Sequence, residues 1–418
     1  MKRKYLEDDK LSGVLFWTLW VTYAVVYMTK NCYSAAMAEI VSVGAMTKSQ
    51  TGLITAIFYL VYAPLQILGG YLADRYKPEK LIIIGLIGAG LANTVIALNQ
   101  NYYVMLAAWT LNGIAQFGLW PAVFKIISSQ LSEDYRKKGA FYISFSGTVG
   151  LLMAYGVAAM VDKWQDNFLL SAVFLFVCTI IFGLVYARIS GQMVVVGRWE
   201  KRDSEQAEHV KEIRYVENPF WESGFYLFVV AGFLCYIVSQ GVKTVSPTML
   251  MESYKNISPS IANSMNMIII LSGILGTILV KLVLYPKYIK NELLSYLGAT
   301  VISLPFVCIL AFIGKVDMLV CLTALAITST ITSATALFSS YFNMRFAKLG
   351  REGEAAGITN MAQSFGVVVQ SYGLAAIADH FGWNKVSLLW IVMVVSMIGL
   401  LIVMLPIWKK FDEKYKLY

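Results

Sequence analysis

Charge is scarce in this chain. Acidic and basic residues together fill 14% of its 418 positions while 58% are hydrophobic, against roughly 25% and 45–50% in an average soluble protein. A soluble surface of this extent cannot be covered with so few charges, so a string of water-soluble domains is excluded. Lipid as the solvent reconciles the numbers, because apolar side chains then face outward. Histidine is scarcer still, with His209 and His380 far apart as the only two. There is also no Ser/His/Asp grouping, phosphate-cradling loop or metal-spaced cluster. These absences argue against an enzyme and predict neither a metal nor a cofactor. Cys32, Cys178, Cys235, Cys308 and Cys321 lie inside apolar stretches with no paired or ligand-like spacing, and read as small packing residues. No soluble segment carries a basic face interleaved with stacking aromatics, so the net charge of +9 does not point to nucleic acid.

What the chain does have is apolar length. A helix needs ~20 residues to cross the hydrocarbon core. Suitable runs fall near 14–38, 51–72, 81–98, 102–128, 139–161 and 168–189, and again near 222–250, 262–284, 292–313, 317–341, 355–378 and 386–407. The expectation is an all-α, polytopic membrane protein with 12 transmembrane helices. Residues 1–189 form one six-helix bundle, 190–218 a cytoplasmic connector and 219–418 a second bundle. The connector mixes Arg198, Lys201, Arg202, Lys211 and Arg214 with Glu200, Asp203, Glu205, Glu208 and Glu212. Of the 34 basic residues, 26 fall at the termini and in alternate loops on one side and 5 on the other. By the positive-inside rule both termini are cytoplasmic, which suits the inner membrane of a cell. Met1-Lys2-Arg3-Lys4 ahead of an apolar run imitates a signal peptide, but the run exceeds the usual ~7–15 residues and contains Lys30. It reads as an uncleaved first helix.

Three basic residues remain, all lysines inside spans: Lys30, Lys125 and Lys243. A lysine near a helix centre costs roughly 2.5–3.5 kcal/mol on insertion scales and marks a functional site by default. The nearest acids, Glu39, Asp74, Asp162, Glu222, Glu252 and Asp379, stand at span ends, and no mid-membrane carboxylate is evident in the sequence. A cavity lined by such ammonium groups wants an anion. Snorkelling of the stem to the interface is the competing reading, strongest for Lys125 near the cytoplasmic end of its helix. Lys30 and Lys243 each lie nine residues before an outer-end glutamate, ~13 Å at 1.5 Å per residue, which is too far for an easy reach. They also reveal a repeat: Tyr23, Lys30 and Glu39 recur as Tyr236, Lys243 and Glu252, offset by 213 residues. Two such halves are expected to form a site near the bilayer midplane. Tyr23, Tyr27 and Lys30 share one helical face, as do Tyr236, Gln240 and Lys243. Packing alone accounts for tyrosines on such a face; beside a lysine, their hydroxyls also serve as donors to anionic oxygens.

Gly70-Tyr71-Leu72-Ala73-Asp74-Arg75, followed by Tyr76-Lys77-Pro78, resembles the cytoplasmic loop motif of the major facilitator superfamily in the variant found in its organophosphate:phosphate antiporter family. Tyr27-Met28-Thr29-Lys30-Asn31, Gly113-Ile114-Ala115-Gln116 with Trp120-Pro121, Ser246-Pro247-Thr248 and Phe381-Gly382-Trp383 are similar to other segments of that family. The resemblance implies the major facilitator fold, with Gly70, Asp74 and Arg75 latching the cytoplasmic side. It also implies substrate contacts at Lys30, Gln116, Trp120 and Lys125. The family's binding arginines are expected at Lys30 and Ser239, and the helix 5 histidine of its glycerol-phosphate carriers at Gly147. Arginine grips phosphate bidentately whereas lysine is a flexible point charge, so a carboxylate or a larger conjugate joins the phosphate monoesters as a possible substrate.

The function expected is alternating-access transport of a small organic anion, phosphorylated by family resemblance, in exchange for phosphate or another anion. The protein is expected to act as a monomer in the lipid bilayer. Two alternatives stay open: proton-coupled transport of a carboxylate or amphipathic solute, and a non-transporting sugar-phosphate sensor.

Overall fold

Lipid offers a backbone N–H or C=O no partner, so an apolar segment of spanning length closes its hydrogen bonds internally as a helix. The computed structural model describes residues 3–196, 217–280, 291–349 and 351–415, and they divide between two compact units, Met1–Arg202 and Asp203–Tyr418. Among them nine helices are long and apolar enough to cross a membrane. The bulk of the expected connector, 197–216, and the second-half loop at 281–290 lie outside the described residues.

The first unit contains α1 (Asp9–Ser42), α2 (Lys48–Arg75), α3 (Pro78–Leu98), α4 (Tyr102–Gln116), α5 (Leu119–Gln130), α6 (Glu133–Met160) and α7 (Trp164–Ser190). Their starts follow from local chemistry. The Asp8 carboxylate accepts the Lys10 and Leu11 N–H groups, and Thr47 with Gln50 forms a reciprocal capping box, each satisfying donors that a helix start leaves orphaned. α1 lies against α6 and α7, while α3 lies against α4 and α7. On α7, Leu170, Val173, Val177, Ile181 and Leu184 are exposed whereas Leu175, Cys178 and Phe182 are buried. A stripe of leucine, valine and isoleucine at helical spacing on the outside is sensible only against lipid.

The second unit contains α8 (Pro219–Glu222), α9 (Phe225–Thr244), α10 (Ser246–Ser253), α11 (Pro259–Leu279), α12 (Glu292–Leu310), α13 (Met318–Met344), α14 (Glu352–Val368), a π-helical turn Val369–Leu374, α15 (Ala375–Phe381) and α16 (Trp383–Tyr415). The 213-residue repeat extends to its contacts. The Trp164 N–H opening α7 donates to Glu39 Oε1 at 3.0 Å, and the Trp383 Nε1–H opening α16 donates to Glu252 Oε2 at 2.8 Å. In each unit the glutamate ending the lysine-bearing rod therefore holds the tryptophan that starts the unit's last helix. Glu79 and Glu292 share the same offset. Glu79 accepts the Tyr186 hydroxyl, whereas the buried Glu292 is gripped by both Nε and Nη2 of Arg345.

Two departures from the expected helices share one cause. The span near 102–128 is broken at Phe117–Gly118 into α4 and α5, and that near 222–250 is broken at Val245 into α9 and α10. Pro121 and Pro247 lack an N–H, so the carbonyl four residues earlier loses its helical partner. A third departure is a small ribbon in an otherwise helical chain: β1 (Arg3–Tyr5) pairs antiparallel with β2 (Val194–Val196). The Leu6 N–H then donates to Gln130 O at 2.9 Å. Three-residue strands carry too little periodicity to be read from sequence.

α1 and α6 approach so closely that a Cβ on Gly150 would lie 2.2 Å from Ala24 O and 2.6 Å from Tyr27 Cβ. Gly183 on α7 has nothing within 4 Å. Gly150→Ala is therefore expected to lower stability by about 1–3 kcal/mol, as overpacking does, while Gly183→Ala leaves it unchanged or raises it. Thermal unfolding of the two purified variants checks the order.

Candidate functional site

Lys30 sits on the buried face of α1, one and two turns beyond Tyr27 and Tyr23. Among the described residues no carboxylate meets it; aromatic rings surround it instead. Its Nζ lies 3.8 Å from the centroid of Tyr62, 5.0 Å from Tyr59 and 5.6 Å from both Phe58 and Tyr27. A cation over a ring face gains roughly 0.5–1 kcal/mol when exposed and about 2 or more when desolvated. One or two such contacts offset most of the roughly 2.5–3.5 kcal/mol that a mid-membrane lysine costs. Phe58, Tyr59 and Tyr62 on α2 were not among the residues singled out from the sequence. Phe-Tyr-x-x-Tyr is a visible signal, but nothing in it says which neighbouring helix it faces.

The ring system continues away from Lys30. Tyr27 and Tyr23 are 5.4 Å apart, Tyr23 and Trp120 4.9 Å, and Trp120 and Phe124 5.9 Å. The structure thus brings Tyr23, Tyr27, Lys30 and Trp120 together. Gly147 makes room for this group: a Cβ there would stand 3.2 Å from the Tyr27 ring. Gln116 is turned inward, donating through Nε2 to Asn112 Oδ1 at 2.8 Å, with both side chains buried. Lys125 is half-buried on α5, two turns past the Phe117–Gly118 break.

Lys243, at the end of α9, has a different setting. Its Nζ donates to Ser333 Oγ at 3.0 Å and to Ser239 Oγ at 3.3 Å. Ser239, where the family resemblance expects an arginine, thus serves Lys243 as an acceptor. Ser333 belongs to the run Thr328-Ser329-Thr330-Ile331-Thr332-Ser333-Ala334-Thr335 on α13. The threonine hydroxyls of this run bond back to their own helix; Thr330 also donates to Ser272 O of α11 at 3.0 Å, and Ser329 and Ser333 face the same helix. A Cβ on Gly273 of α11 would lie 2.7 Å from Ser333 Oγ and 2.9 Å from Ser329 Oγ. Tyr236 and Gln240 stand half-buried on the same rod as Lys243.

The break beside Lys243 is held open by side chains. Pro247 denies the Lys243 carbonyl its i+4 donor, and Asn266 of α11 supplies one through Nδ2 at 2.8 Å while its Oδ1 accepts the Ser246 hydroxyl at 2.7 Å. From the π-helical turn, Gln370 Nε2 donates to Thr244 Oγ1 at 2.8 Å. In the first unit the carbonyl freed by Pro121 is that of Phe117, and Gly69 packs onto it so closely that a Cβ would come within 2.7 Å. Gly69 therefore makes the close approach, whereas a Cβ on Gly70 would meet nothing within 4 Å. At the expected latch, the Arg75 guanidinium lies 4.3 Å from the Tyr71 ring; the Asp74 side chain lies outside the described residues.

Comparison with known proteins agrees with this architecture. The sequence profile of the Major Facilitator Superfamily matches residues 19–371. The membrane sensor protein UhpC of Escherichia coli (strain K12) is 28% identical over 119 residues, which cover 28% of this chain and 27% of that protein. The aligned stretch is thus about a quarter of UhpC. A protein named "Probable hexose phosphate transport protein" from Chlamydia trachomatis serovar D is 22% identical over 435 aligned residues, covering 96% of this chain and 92% of its own. Among solved structures, a bacterial homologue of the human lysosomal transporter Spinster, inward-facing and occupied, superimposes with a TM-score of 0.75 at 14% identity, covering 97% of this chain and 99% of its own.

If Asn266 substitutes for the donor that Pro247 removes, the two residues are energetically coupled. Asn266→Leu is expected to cost about 1–3 kcal/mol by leaving buried groups unpaired. In a Pro247→Ala background, where an N–H is restored, the same change should cost less, with a coupling of about 0.5–3 kcal/mol. A double-mutant cycle of unfolding free energies measures it; additive costs would contradict the assignment.

Proposed function

The chain belongs to the Major Facilitator Superfamily, and on that premise we propose that it is a secondary active transporter of a small organic anion, phosphorylated or carboxylated, working by anion exchange. Within the first unit Lys30 acts as an anion ligand with the phenols of Tyr23 and Tyr27 assisting; within the second, Lys243 does so with the Tyr236 phenol and the Gln240 amide. The protein sits in the cell membrane with both termini cytoplasmic. One observation carries the reading: a buried ammonium, Lys30, is held among four rings and meets no carboxylate among the described residues. Its positive charge is left for a ligand to neutralise. Names such as hexose phosphate transport protein among the relatives support an anionic substrate.

Exchange follows from the same charge. The empty carrier must pass through a state in which Lys30 is cut off from water, and desolvating an ion costs several kcal/mol even after relaxation. Each ~1.4 kcal/mol of barrier slows the crossing tenfold. A bound anion neutralises the ammonium and lowers that barrier, so loaded crossings outrun empty ones. Lys30→Ala is expected to abolish transport while the protein still folds, since the substitution removes a buried charge rather than a packed core group. Uptake into proteoliposomes should rise at least tenfold when they are preloaded with anion. Equal uptake with and without internal anion, driven by an imposed pH gradient, would replace exchange with proton coupling.

The similarity to the sensor UhpC favours a second reading, a receptor that binds the same anion without moving it. Binding by purified protein with no uptake under any gradient identifies that case.

A further inference from the structure

The ammonium groups of the two lysines touch different things. Lys243 Nζ donates to two serine hydroxyls. Among the described residues Lys30 Nζ donates no hydrogen bond. Its nearest neighbour is the ring of Tyr62, 3.8 Å away at the centroid, against 5.0 Å for Tyr59 and 5.6 Å for Phe58 and Tyr27. An ammonium has a charge and three N–H donors. A ring face answers the charge and gives the donors no oxygen. An anion answers both, through short charge-assisted bonds.

The rings are held more firmly than the lysine. Phe58 stacks on Tyr62 with centroids 5.6 Å apart and lies equally far from Trp109, and Trp109 is packed in turn by Tyr33 at 5.2 Å. At the far end of the Tyr62 ring, the Gln66 side chain hydrogen-bonds the phenol. The lysine ammonium, by contrast, rides on a flexible four-carbon stem. An anion arriving at Lys30 therefore moves the ammonium and leaves the ring where it is. The contact with Tyr62 is then given up.

We propose that the Tyr62 ring face is the resting seat of the Lys30 ammonium and competes with the anion for it. This rests on the reading of Lys30 as an anion ligand. It makes Tyr62 a positioning residue that sets affinity through Lys30 without touching the substrate. The sign of its effect is distinctive. A residue that contacts the ligand weakens binding when it is impaired, whereas a seat that competes with the ligand tightens binding when its hold is loosened.

The test varies the ring face and leaves its shape nearly constant. Tyr62→Phe in the purified full-length protein is the reference, followed by the same position carrying mono-, di- and trifluorophenylalanine, since each fluorine drains the negative face that attracts a cation. The probes are inorganic phosphate, glucose 6-phosphate and gluconate, titrated by calorimetry. For any probe that binds, Kd should fall stepwise along the series, by about tenfold from first to last, which is ~1.4 kcal/mol at 25 °C. Thermal unfolding without anion should move the other way, to lower temperature at each step. In a Lys30→Met background the stepwise loss of stability should disappear. A flat series, binding that weakens with fluorination, or the same loss of stability in Lys30→Met overturns the inference while anion binding itself stands. If none of the three probes binds the wild type, the anion-carrier reading falls and the competition with it, whatever the anion-free series shows.

Discussion

In the first unit a cation is held by ring faces. The Lys30 ammonium at 3.8 Å from Tyr62 needs α1 and α2 close together, with their aromatic side chains standing between them. Glycines on the neighbouring helices make that possible. Gly150 lets α6 reach the backbone of α1 at Ala24, Gly147 leaves space for the Tyr27 ring, and Gly113 of α4 allows contact with Phe58 O, where a Cβ would lie 3.0 Å away. Helices in lipid lack a hydrophobic drive to associate, so close backbone approach through small residues supplies the packing energy instead. The residues that matter to the charge are thus positioned by residues with no side chain at all.

The second constraint is the carbonyl that a proline strands. In water such a group would be hydrated at little cost, but in a membrane interior it must be met from within the protein. At Lys243 the remedy is the Asn266 amide; the Phe117 carbonyl is instead closely packed by Gly69. Each break falls beside a candidate ligand of its own unit, Trp120 in the first and Lys243 in the second. A broken rod there directs side chains that a straight helix would carry elsewhere, and it gives the backbone a place to bend. The π-helical turn that brings Gln370 to Thr244 adds a third irregularity next to the same lysine, in keeping with the tendency of such turns to collect at functional sites.

The repeat reads differently at its ends and at its centre. Glu39 and Glu252 do equivalent work, each holding the tryptophan that begins the last helix of its unit. Lys30 and Lys243 do not, one lying among rings and the other among hydroxyls. Duplicated halves thus keep the contacts that assemble each bundle and differ around their lysines.

Much of this was legible in the sequence because lipid makes the rules severe. Apolar runs of about twenty residues must be helices, so the spans near 81–98 and 292–313 appear as α3 and α12 with edges within a few residues. The placing of Tyr23, Tyr27 and Lys30 on one face follows from 3.6 residues per turn, and the 213-residue offset is arithmetic. What the sequence did not disclose are relations between helices: that Phe58, Tyr59 and Tyr62 surround Lys30, that Ser333 meets Lys243, that Gln116 turns to Asn112, and that Gly69 rather than Gly70 makes the close contact. Period and hydropathy describe a single helix and its faces. Which face meets which neighbour is settled by the packing of small residues and the pairing of polar atoms across helices far apart in the chain, and only the tertiary structure decides those.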